Sequence, residues 1–137
     1  MKKLLEDLNG SYSDMEACKT IVDTYKHVFE KFLVYLFIAE LDLAQNKAKK
    51  AEKILDLFWK DFKQEEITYK YFRGDPLEHT NLLLNYHLLM RIVYEKAGDN
   101  DKLIQNLMFL ISYSDPLIES RKPEMMITLA STLYDIE

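Results

Sequence analysis

From Ile21 to Leu43 the apolar residues Ile21, Tyr25, Val28, Phe29, Phe32, Leu36, Ala39 and Leu43 return mostly at steps of three and four, the period of one face of an α-helix. Between Val34 and Ile38 the apolar positions go all the way round. A helix with no polar side has to be packed on several sides, so this segment is expected at the centre of the fold. The stripe stops at Gln45-Asn46-Lys47, and a second helix opens whose apolar face is Ala48, Ala51, Ile54, Leu55, Phe58, Trp59 and Phe62. A similar succession recurs from Tyr94 to Ile104 around Gly98-Asp99-Asn100. Each break reads as the elbow of two antiparallel helices, the unit from which helical repeats are stacked.

Composition agrees with that reading. The chain has 137 residues, one domain's worth, of which 48% are hydrophobic, enough for a continuous core. Only 3 Gly and 3 Pro accompany 9 Tyr and 7 Phe, which favours long helices over a turn-rich β architecture. The expected fold is all-α, with antiparallel helical hairpins stacked as a short array in a single domain over 1–137.

Residues 2 to 8 form a short amphipathic stretch closed by Asn9-Gly10, and Ser13 with Glu16 makes a capping box that restarts a helix running to about Ala44. Residues 63 to 74 carry Ile67, Tyr69 and Tyr71 in alternation without a strand partner, so an irregular or partly helical connection is expected. Asp75-Pro76-Leu77-Glu78 starts a third helix that ends before Gly98. Its Leu82, Leu83, Tyr86, Leu89, Met90, Val93 and Tyr94 cover more than one face, so it too is expected to be packed on several sides. Asp99 or Asn100 caps a fourth helix with Leu103, Ile104, Leu107, Met108, Leu110 and Ile111, ending near Ser114. Asp115-Pro116 and Lys122-Pro123 mark two further starts, and the last helix has Met126, Ile127, Ala130 and Leu133 as its expected apolar face. It is either a terminal capping helix or the end of a piece whose next helix has been removed.

The elbows and their surroundings resemble the tetratricopeptide repeat. Ile38-Ala39 and Ala51 match its leucine-small pair and its close-contact alanine, and Tyr94, Gly98 and Asp99-Asn100-Asp101-Lys102 match its tyrosine, turn glycine and polar turn. Leu129-Ala130 stands where a third leading helix would carry its small pair. The pattern departs at Asp42, where the family has an aromatic, at Arg91, where it has a small residue, and at Leu103, where it has alanine. The elbows also lie 52 residues apart (98 less 46) against a repeat of about 34. Degenerate units of this kind are similar to the ligand-binding region of bacterial regulators that sense signalling peptides. That similarity implies a peptide backbone gripped by Asn81, Asn85 and Arg91, with His87 close by. Glu40 and Tyr35 are polar interruptions of the first long helix that join the same set of partner-binding positions.

Little else in the chain carries chemistry. The three histidines, His27, His79 and His87, lack a Glu-x-x-His or helical zinc spacing, and Gly10, Gly74 and Gly98 form no phosphate-binding loop, so neither metal nor cofactor is expected. Asp75 and His79 are four apart, but no nucleophile stands in an elbow motif, so no enzyme is expected. A net charge of -5 opposes nucleic-acid binding, and the cluster Lys47, Lys49, Lys50 and Lys53 is broken by Ala48, Ala51 and Glu52. The longest apolar run, Phe32 to Ala39, is too short to span a membrane. A single cysteine, Cys18, and the missing apolar region of a signal peptide place the expected location in the cytoplasm. Two readings stay open: a non-enzymatic module that binds a protein or peptide, and a structural domain whose Val34–Ile38 and Leu82–Met90 segments pack against a second copy as a homodimer.

Overall fold

The computed structural model describes residues 28–68 and 76–136 of the chain. They form six helices: α1 (Val28–Ala44), α2 (Ala48–Thr68), α3 (Pro76–Ala97), α4 (Asn100–Ile111), α5 (Pro116–Glu119) and α6 (Lys122–Ile136). No strand occurs among the described residues, and the fold is all-α. The expected early helix and the capping box at Ser13 lie outside the described residues, as do Cys18, His27 and residues 69–75. Two compact units divide the chain, Met1–Leu82 and Leu83–Glu137.

In the first unit α1 and α2 make an antiparallel hairpin. The apolar belt around Val34–Ile38 is buried as its all-round pattern requires: Val34, Tyr35, Leu36 and Ile38 are enclosed, and Ala51 at the close approach of the two helices has no exposed surface. Phe32 meets Phe58 and Phe62 edge to face at centroid distances of 5.4 and 5.8 Å, and Phe58 stacks on Phe62 at 5.4 Å. Such contacts add on the order of 1 kcal/mol per pair beyond area burial. The α2 helix continues to Thr68, so the first part of the expected connection, 63–68, is helical.

In the second unit Leu84 and Leu88 of α3, Leu103, Leu107 and Leu110 of α4, Ile118 of α5 and Met125 of α6 form one core. Along α3 the even residues from Leu82 to Met90 are buried and the odd ones from Leu83 to Arg91 half-buried, so none of these ten residues is exposed. The several-sided packing expected of this helix is realised.

Three expectations require correction here. The α4 helix stops at Ile111, three residues early, because Asp115 takes an extended conformation (φ -132°, ψ 137°) ahead of Pro116 and its carboxylate accepts the Leu117 amide. Met108, assigned to the apolar face of α4, is 59% exposed. On α6 the inward residues are Met125, Leu129 and Thr132, whereas Met126, Ile127, Ala130 and Leu133 are exposed. The helix is thus turned by about one residue, or 100°, from the expected rotation.

Candidate functional site

The two elbows close in the same way. At the first, Asn46 has φ 59°, its amide donates to the Leu43 carbonyl at 3.1 Å, and the Lys47 amide reaches back to the Asp42 carbonyl at 2.8 Å. At the second, Gly98 has φ 68°, its amide donates to Glu95 at 3.3 Å, and the Asp99 amide reaches Tyr94 at 3.1 Å. Both are Schellman closures around one left-handed residue. In both, the residue after it begins the next helix: Lys47 accepts from the Ala51 amide and Asp99 from the Leu103 amide, each at 3.0 Å. Asparagine and glycine are the residues that adopt positive φ at least cost, which is why the sequence marks both turns. The Asp99 carboxylate also accepts the Lys102 amide, so aspartate is the cap of α4.

The positions proposed for partner contact are placed very differently by these helices. Glu40 lies on the exposed side of α1 and Asn81 on the exposed side of α3. Asn85, one turn further along α3, is half-buried. Tyr35 is only 2% exposed, and its hydroxyl donates to Asp61 Oδ2 at 2.9 Å, tying α1 to α2. It is a core residue of the hairpin and presents no contact surface.

Arg91 ties the helices of the second unit together. Its Nη1 donates to Glu124 Oε2 at 2.7 Å, its Nη2 donates to Glu124 Oε1, and its Nε donates to Glu95 Oε1 at 2.8 Å. Nη2 also reaches Thr128 Oγ1 at 3.2 Å, and that hydroxyl donates to the Glu124 carbonyl at 3.0 Å. The hydrogen bond to Glu124 stabilises the guanidinium cation and in turn holds the Glu124 carboxyl below its ordinary range. A bidentate fork of this sort has a fixed geometry. It joins the first turn of α6 to α3, on a helix whose Met126 and Ile127 face outward.

His87, the expected neighbour, packs its ring against Phe109 at 4.2 Å and Tyr86 at 5.0 Å, while its carbonyl accepts from Asn106 Nδ2 at 2.9 Å. Asn106, absent from the expected set, is 5% exposed, with its Oδ1 lacking a hydrogen-bond partner. In the first unit His79 stacks on Phe62 at 5.1 Å, and its Nε2 stands 2.8 Å from Glu66 Oε2. Burial raises the Glu66 pKa, but the hydrogen bonds from His79 and Lys63 outweigh it and leave the carboxyl below its ordinary value. An ionised carboxylate only accepts, so Nε2 carries the proton. Asp42 behaves oppositely: it is 1% exposed, Oδ1 has no hydrogen-bond partner, and burial pushes its pKa up despite Lys47 and Lys50.

Among the described residues no group of three or more His, Cys, Asp or Glu side chains stands where it could hold a metal ion, and no helix is long and apolar enough to cross a membrane. No protein-family model, curated protein or solved structure matches the chain.

Proposed function

We propose that this chain is a non-enzymatic helical-repeat module, tetratricopeptide-like in design, that binds a protein or an extended peptide; its narrower form is the peptide-sensing region of a bacterial regulator. The observation that carries the reading is the equivalence of the two elbows, whose three defining backbone hydrogen bonds recur at a constant offset of 52 residues (47 to 99, 46 to 98, 51 to 103). A closure repeated bond for bond is what two copies of one helix-turn-helix unit would have, and arrays of such units act by presenting helix faces to a partner.

Asn81 and Asn85 lie one turn apart on α3 and so project from one face. A side-chain amide carries both a donor and an acceptor, the groups that would pair with a peptide unit. The grip is assigned to the asparagines, since Arg91 is engaged by Glu124 and Glu95. The reading is tested by panning a random peptide library on the purified chain and on an Asn81→Ala/Asn85→Ala variant. Peptides selected by the parent chain should lose about tenfold or more in affinity for the variant, the worth of one or two hydrogen bonds. Equal affinity for both would remove these residues from the site.

A further inference from the structure

The first elbow is built on a buried acid. Asp42 is 1% exposed in the last turn of α1, and its Oδ1 has no hydrogen-bond partner. When the carboxyl is ionised, that oxygen has lost its water without a donor to replace it, at the end of a helix whose dipole is also negative. The backbone of the same residue closes the turn: the Asp42 carbonyl accepts the Lys47 amide at 2.8 Å and the Gln45 amide at 3.2 Å. A side chain enclosed this fully reaches water only if residue 42 turns, and turning it breaks both bonds. Hydrating the charge and opening the elbow are one event.

Among the described residues, the charged groups that act on Asp42 are Lys47 in the elbow and Lys50 in the first turn of α2. Both favour the ionised form, but burial opposes it more strongly. On α1 the nearest charged residue, Glu40, stands about 200° round the helix on its exposed side. The second elbow supplies the comparison. Its closure repeats that of the first, and the residue 52 positions after Asp42 is the half-buried Tyr94, whose carbonyl accepts the Asp99 amide at 3.1 Å. Tyrosine brings no carboxylate to that turn. We propose that the first elbow is a proton-operated hinge: closed when the Asp42 carboxyl is protonated, biased towards local opening when it is ionised, with no such response in the second elbow. Burial holds the Asp42 pKa above its ordinary 3.8, so closure is complete below 3.8 and weakens as pH rises through the higher closed-state value. Because α1 ends and α2 begins at this turn, opening it releases the last turn of α1 from the start of α2. The hairpin of the first unit is therefore the part of the chain that senses acid.

The test is amide hydrogen exchange of the full chain by nuclear magnetic resonance between about pH 3 and 7, expressed as protection against the unfolded-chain rate at each pH. Protection of the Lys47 amide should fall as pH rises, about tenfold for each unit by which the closed-elbow pKa of Asp42 exceeds the open one. Protection of the Asp99 amide should not fall. Asp42→Asn should hold Lys47 protection level, with an unchanged helical circular dichroism spectrum. Lys50→Gln, at an exposed position, removes a cation that favours the ionised form and should carry the fall in Lys47 protection to higher pH. A Lys47 protection indifferent to pH overturns the proposal. So does a fall shared equally by Asp99, which is global unfolding, one that persists in Asp42→Asn, or one whose range Lys50→Gln does not move.

Discussion

The Arg91 guanidinium on α3 grips the carboxylate of Glu124, 33 residues further along the chain, through two parallel hydrogen bonds. Arg91 is also bonded to Glu95 on its own helix. The Arg91 side chain is 12% exposed and that of Glu124 62%, so solvent screens the pair on one side. A double-mutant cycle of Arg91→Ala and Glu124→Gln, measured by urea unfolding, should give a coupling of about 1 kcal/mol. Arg91→Lys keeps the charge but lacks the fork, and should recover less than half of it.

The acid side of the stability curve follows from the same pair. Glu124 and Glu66 both have folded-state pKa values below the unfolded value of 4.5, so each contributes stability that is complete above 4.5 and is lost as pH falls through the lower folded value. Arg91→Ala should therefore cost most at about pH 7, and its difference from the parent chain should shrink towards about pH 3. Urea midpoints at the two pH values measure it.

Asp42 has the opposite sign. Its folded pKa is raised above the unfolded 3.8, so its charge costs stability above the folded value, and that cost vanishes as pH falls below 3.8. Asp42→Asn should raise the unfolding free energy at neutral pH by about 1 kcal/mol, with the gain fading in acid.

The elbows were legible in the sequence because what determines them is local. Asn46 and Gly98 supply the left-handed residue, Asp99 and Asp115 supply caps, and Pro116 forbids helix just before itself. The burial of Val34, Tyr35, Leu36 and Ile38 was legible for a similar reason, as a helix without a polar side has to be covered. The rotation of α6 was not. Met125, Leu129 and Thr132 make nearly as good an inner face as Met126, Ile127, Ala130 and Leu133, and an ion pair to a helix 33 residues away accompanies the choice. Tyr35 misleads for a related reason: a hydroxyl in an apolar run looks like a contact until Asp61, 26 residues later, is seen to accept from it.

Tyr35→Phe should cost about 1 kcal/mol through the lost hydrogen bond to Asp61, and Tyr35→Ala about 3 to 5 kcal/mol through the cavity it leaves in the hairpin. Thermal unfolding separates the two. The register of the elbow should not change in Tyr35→Phe.

The binding reading itself is tested most directly by native mass spectrometry of the purified chain after incubation with extract from its source. A stoichiometric peptide or protein adduct on the parent chain, lost in the Asn81→Ala/Asn85→Ala variant while the variant stays folded, is the predicted result. A chain that emerges bare, or an adduct that the double variant retains in full, would contradict it.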